Sequence, residues 1–423
     1  MKNKNLGMLF GGLLALSLSA CHQQVMTQDI AQKFDADTAW LELQSTLQQQ
    51  YAYLDRAGVD KDTLFEVFAP KLIVTQSKQA FADTAQMLLR HFYDPHLNLG
   101  PYNAQDYSVF PTGSDIYVNY QNQQFVVVDV KAGSAADVAG IRPNMEIIEI
   151  DGMPMHEAVK QVLGREISQL QPEQVNFAAN VSLGGYRNTS RKVTAKGKDA
   201  EKHYHLAASY EAINAFRDGP MISFRKIDNF GYIRFNNGLG NNKTVDEFKQ
   251  ALAALADTKA LIIDLRNTPS GGNTGVAEPI LGHFVTHKTA YQRYQTQQVG
   301  LPYTHAEMAT AYVEPSLPYY DKPFVVLAGH WTGSMGEGMT IGLDAIGAKT
   351  VIGAPMADLL GGIKTVQLKH SETWLELGFE RLYHVNGSFR EDFVPHIRLD
   401  TADKDSSGND PALAKALSVL DRA

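Results

Sequence analysis

Gly329-His330-Trp331-Thr332-Gly333-Ser334-Met335-Gly336-Glu337 is the stretch of this 423-residue chain whose residue types and order could do chemistry. It follows the apolar run Phe324 to Ala328, which reads as a buried strand. It precedes a segment from about Ser334 to Ile346 that reads as a helix. A serine at such a junction faces the first N–H groups of the helix, where the dipole favours negative charge. An oxyanion formed by attack of its hydroxyl would meet donors already in place. The same position suits an ordinary N-cap, and residue type alone leaves both roles open. Glu337 in the helix's first turn could point to a cleft or simply complement the dipole. Arg266, in Asp264-Leu265-Arg266-Asn267, could hold a core loop through an ion pair. His203 and His205 alternate in a strand-like stretch with no carboxylate pair nearby and read as surface residues. No cluster at metal-ligand spacing and no Gly-rich phosphate motif is found, so neither a metal nor a nucleotide cofactor is implied.

Elements able to hold such a site follow from the apolar pattern. Phe230–Phe235 and Ala260–Arg266 read as strands, Thr244-Val245-Asp246-Glu247 as a capping box opening a helix to about Ala256, and about Asn273–Phe284 as a second helix. Strands alternating with helices indicate an α/β layer built of βαβ units from 211 to 423, with an insertion over about 290–320. Upstream, Trp40, Leu43, Leu47, Leu64, Phe68, Phe81, Leu88 and Phe92 recur at helical spacing, predicting a small helical domain over 34–104 that the Pro in Asp94-Pro95-His96 closes. Between them, 105–210 is β-rich: Phe125–Val130, a small-residue helix near Ala135, Ile147–Ile150 and the turn pair Asp151-Gly152. The formal charge of −8, with no basic cluster, disfavours nucleic-acid binding.

At the N-terminus, Lys2 and Lys4 precede an apolar run, Leu6 to Leu18, too short to span a bilayer. The single cysteine rules out a disulfide framework. Leu18-Ser19-Ala20-Cys21 resembles a bacterial lipoprotein signal, which implies removal of 1–20, lipid on Cys21 and a tether over 21–33. The mature chain is therefore expected outside the cytoplasm and anchored to a membrane, with the outer membrane the weaker expectation.

The 105–210 segment resembles a PDZ domain, from Phe125 to Gly152 above all. Asp264-Leu265-Arg266-Asn267, Gly271-Gly272 and Thr332-Gly333-Ser334-Met335-Gly336-Glu337 follow it in order. Together they resemble the carboxyl-terminal-processing (tail-specific) serine proteases and the related tricorn core proteases. That resemblance implies a crotonase-like α/β core, Ser334 as nucleophile, and an oxyanion hole from the N–H of Met335 and of Gly271 or Gly272. For the base, the processing branch implies a lysine, matched loosely by Lys364 with Gln367. The tricorn branch implies His96, oriented by Glu391 in Arg390-Glu391-Asp392-Phe393-Val394-Pro395, with Asp392 as competitor. The triad Ser334, His96 and Glu391 is the expectation carried forward. Polypeptide substrates are implied, their C-termini among them, since PDZ domains often capture a chain end. The alternative is a catalytically silent protein that holds a peptide or apolar ligand on the same fold.

Overall fold

The computed structural model describes residues 34–56, 58–198, 200–209, 219–301 and 305–422. The signal, Cys21 and the tether lie outside them. Three helices, Ala36–Gln50, Lys61–Leu72 and Lys78–Arg90, open the described chain, each N-capped by a side chain: Asp35, Asp60 and Ser77. Their apolar faces pack with Leu360, Leu368, Leu375 and Leu377 from the far end of the chain. Those leucines belong to or flank the antiparallel strands Ile363–Leu368 and Thr373–Gly378, which pair with the short strand Asn98–Gly100. The helical layer thus shares its core with a sheet from beyond residue 360.

The segment 116–206 folds into an antiparallel sheet in the order Ile116–Gln121, Gln124–Val130, Glu146–Ile150, Arg191–Lys196 and Glu201–Leu206. Helix Pro172–Gly184 lies along the outer strand and closes it. Asn180 accepts from Val118 N–H at 2.8 Å and donates to Val118 O at 3.0 Å, while Asn176 accepts from Tyr120 N–H at 2.6 Å. On that edge, the Val118 and Tyr120 backbone groups that an added strand would need are therefore occupied by side chains.

A six-stranded sheet forms the third layer, in the order Ile397–Arg398, Val351–Gly353, Phe324–Ala328, Ala260–Asp264, Phe230–Phe235 and Ile222–Ile227. All neighbours are parallel except the last pair. Both faces are covered, so these strands are apolar without alternation. Leu261, Ile263, Phe324 and Val326 face helices Lys243–Ala254, Thr274–Leu281 and Met335–Ala345. Ile262, Val325 and Leu327 face helix Pro411–Asp421. The expected capping box at Thr244 does not form. Thr244 donates to Gly238 O, and Glu247 accepts from Ile222 N–H, binding the helix to the edge strand instead. The 290–320 region contains strands Thr289–Thr296 and Met308–Val313, with Glu380–Tyr383 as a third partner. Among the described residues no helix is long and apolar enough to cross a membrane.

Candidate active site

Ser334 follows the buried strand Phe324–Ala328 and immediately precedes helix Met335–Ala345, with φ 50° and ψ −112°. Such a backbone is costly for any residue with a Cβ and persists only where its surroundings hold it. Here the Ser334 N–H donates to Glu337 Oε2 at 2.6 Å, and Arg390 donates to the Ser334 carbonyl at 3.3 Å. Thr268 and Thr332 both donate to the Leu265 carbonyl, at 2.8 and 3.1 Å, tying the loop after strand Ala260–Asp264 to the loop carrying Ser334. That contact needs Gly336, where a Cβ would stand 2.1 Å from Thr268 Oγ1.

The same tie brings Gly271 against the serine. With φ +63°, Gly271 has room for a hydrogen only; a Cβ there would lie 2.4 Å from Ser334 Cβ, 2.9 Å from its Oγ and 3.0 Å from Met335 N. The Gly271 N–H is already used, donating to Thr268 O. Among the described residues, Gly272 and Met335 make no backbone bond through their N–H groups, and both line a cavity of about 520 Å³ with the serine. Of the three donors expected, Met335 and Gly272 line the cavity with the serine, and Gly271 supplies the clearance.

His96 lines this cavity as well. Its Nδ1 lies 3.1 Å from the Leu360 carbonyl. A carbonyl can only accept, so Nδ1 carries the proton and Nε2 keeps its lone pair. Asp94 steadies both partners, accepting from the N–H of His96 at 2.9 Å and of Leu360 at 3.2 Å. Burial pushes His96 down to about 4, with Arg390 acting in the same direction, so the imidazole is neutral at pH 7.

Glu391 is not brought to His96. It sits in a single 3₁₀ turn, Arg390–Asp392, where burial raises its carboxyl and the neighbouring cations are Arg390 and Arg56. The inward residue of that turn is Arg390, buried and hydrogen-bonded to the Ser334 and Leu359 carbonyls. The group beside the His96 ring is therefore a backbone carbonyl where the triad expectation had a carboxylate. Asp392 is exposed. Lys364 and Gln367 do not line the cavity: Ile363 faces it, and strand alternation turns Lys364 away, toward the Phe379 ring at 5.7 Å. Arg266 is structural, bonded to Asp264 and Asp410. His203 pairs with Thr194 at 3.0 Å. Among the described residues no group of three or more potential metal ligands occurs.

Two buried groups of the site carry more than sequence reasoning assigned them. Glu337 accepts from Ser334 and Leu359 and stands 3.6 Å from Arg390; burial pushes its carboxyl up to about 8 against the pull of that guanidinium. Asp94 is buried with its carboxyl raised to about 6, and Tyr51 donates to it at 2.9 Å. The Asp94-Pro95-His96 spacing is the only sequence signal that could have pointed to it.

Comparison with known proteins places this geometry. Residues 229–399 match the model of Peptidase family S41. No curated protein matches the sequence. Among solved structures, mature CPAF complexed with lactacystin is similar at 15% identity and a TM-score of 0.60, over 92% of this chain and 97% of that one. A putative peptidase from Parabacteroides merdae gives 13% and 0.58, over 92% and 99%. The photosystem II D1 C-terminal processing protease gives 15% and 0.54, over 88% and 95%. At these identities the likeness is one of fold, a mixed α/β architecture. The matched segment holds the Gly271-Gly272 pair and the strained Ser334 junction, so the similarity to Peptidase family S41 over residues 229–399 falls on the elements that build this cavity.

Proposed function

We propose that the protein is an endopeptidase that cleaves polypeptides through an acyl-enzyme on Ser334, with His96 as base. The observation that carries this reading is one cavity lined by Ser334, by neutral His96 and by the free N–H groups of Met335 and Gly272. Ser334 Oγ attacks the scissile carbonyl as His96 Nε2 takes its proton, and the carbonyl oxygen takes its negative charge toward Met335 and Gly272. His96 then returns the proton to the leaving amine, and water, activated by the same imidazole, hydrolyses the ester. The imidazolium formed in between is held by the Leu360 carbonyl.

A fluorophosphonate read by intact mass tests this. The chain from His22 should gain one adduct, and Ser334→Ala and His96→Ala should gain none. An adduct that survives His96→Ala would remove His96 from the role of base.

The crotonase-like description of the core and the PDZ-like description of 105–210 rest on the sequence resemblance. In this reading the mature chain works outside the cytoplasm, tethered through lipid on Cys21. Metabolic labelling with a fatty-acid analogue, lost in Cys21→Ala, is the expected result.

A further inference from the structure

One wall of the Ser334 cavity is a face of the sheet made by strands Thr289–Thr296 and Glu380–Tyr383. Tyr294 stands opposite Leu382 and Thr296 opposite Glu380, so alternation puts Gln292, Leu382 and Glu380 on the same face, and all three line the cavity. The wall therefore offers an aliphatic middle between two acceptors.

Among the described residues both acceptors lack a hydrogen-bond donor. Gln292 is 6% exposed, and its Oε1 is buried with no hydrogen-bond partner. Among the described residues Glu380 makes no side-chain hydrogen bond or ion pair; its carboxyl packs over Gly362, where a Cβ would lie 3.4 Å from Oε1. Glu376, on Thr373–Gly378, brings a second unpaired carboxylate into the same cavity. The cations already there are engaged. Arg390 is bound to two carbonyls and lies 3.6 Å from Glu337, and Arg187 lies over the Tyr102 ring at 4.4 Å. A buried acceptor without a donor is costly, and Glu380, its carboxyl raised by burial, feels the already engaged Arg390 guanidinium only through space. A ligand that supplies a long aliphatic stem and a cationic head answers all of these groups together.

Resting on the peptidase reading above, we infer that the cleft selects substrates with a lysine or arginine side chain beside the scissile bond, the cation received by Glu380 with Gln292 and Glu376 as further acceptors.

The test compares peptides that differ only in lysine against norleucine at one position, with fluorophosphonate labelling run in parallel. In the wild type, kcat/KM for lysine should exceed that for norleucine by roughly 10–100-fold, the worth of one charge-assisted hydrogen bond. Glu380→Gln should erase most of that ratio by lowering kcat/KM for lysine far more than for norleucine, with Ser334 labelling showing that the site is still formed. Glu380→Lys should turn the preference toward glutamate. Labelling with equal cleavage of lysine and norleucine by the wild type overturns this inference alone, and so does a ratio unchanged in Glu380→Gln. Absence of labelling removes the peptidase site beneath it.

Discussion

Replacing Gly271 by alanine probes the site at its tightest point. The new methyl carbon would stand 2.4 Å from Ser334 Cβ and 2.9 Å from Oγ. Non-bonded carbons settle at about 3.5–4.0 Å, so one side must retreat by roughly 1 Å. Gly271 is fixed by its bond to Thr268, and Ser334 is held by Glu337 and Arg390, so the displacement falls within the reacting geometry itself. A misplacement of about 1 Å costs on the order of 10²-fold in rate, and Met335 N, 3.0 Å from the new atom, loses access to an oxyanion as well. The rate of Ser334 labelling by a fluorophosphonate should therefore fall at least ~100-fold. Positive φ adds roughly 1–2 kcal/mol of backbone strain. Gly300→Ala is the control: its φ is +77°, yet nothing lies within 4 Å of the added carbon. It should carry the strain in its melting temperature and label normally. Wild-type labelling in Gly271→Ala, or an equal loss in both variants, would refute the packing argument.

Other outcomes follow from the same geometry. His96 is depressed to about 4, so it stays a free base as pH falls through 6 and 5; the labelling rate should hold across that range and halve near 4, whereas an ordinary imidazole would halve at about 6.5. Lys364→Ala should leave labelling unchanged, because its ammonium turns away from the cavity. Arg390→Met should lower stability in chemical denaturation, since it leaves the Ser334 and Leu359 carbonyls without their donor at roughly 1–3 kcal/mol each; adding Glu337→Gln should change that loss little at pH 7, because the Glu337 carboxyl, pushed up to about 8, is already largely protonated there. Asn180→Leu removes both partners of Val118 and should cost about 2–4 kcal/mol by the same measurement.

What was legible in the sequence was whatever periodicity encodes. Phe324–Ala328 and Ala260–Asp264 announce themselves as strands buried on both faces, and the serine between strand and helix marks the site. Residue spacing failed where neighbours point in different directions. A 3₁₀ turn advances about a third of a revolution per residue, so counting from Ser334 to the Arg390–Asp392 turn cannot say which of three successive residues looks inward. The structure turns Arg390 in and leaves Glu391 aside. Alternation likewise decides against Lys364, because one step along a strand reverses the face. The acceptor that orients His96 has no side-chain signature: it is the main-chain oxygen of Leu360.

That exchange of a carboxylate for a carbonyl changes how the site is held together. In a Ser–His–carboxylate arrangement, the acid fixes the imidazole tautomer and stabilises the imidazolium. Here the tautomer is fixed by Leu360, and Asp94 anchors the backbone N–H groups of both Leu360 and His96, so orientation survives without a charge on the ring. A buried carboxyl and a guanidinium sit under Ser334 instead. Glu337 grips the Ser334 N–H, Arg390 grips its carbonyl, and the two face each other across 3.6 Å. The strained φ of Ser334 is thus held from both sides by the Glu337–Arg390 contact, while burial, with Arg390 acting in the same direction, keeps His96 neutral. Neutralising Arg390 should accordingly disturb both the nucleophile's backbone and the imidazole's proton affinity, which ties the two halves of the dyad to one guanidinium.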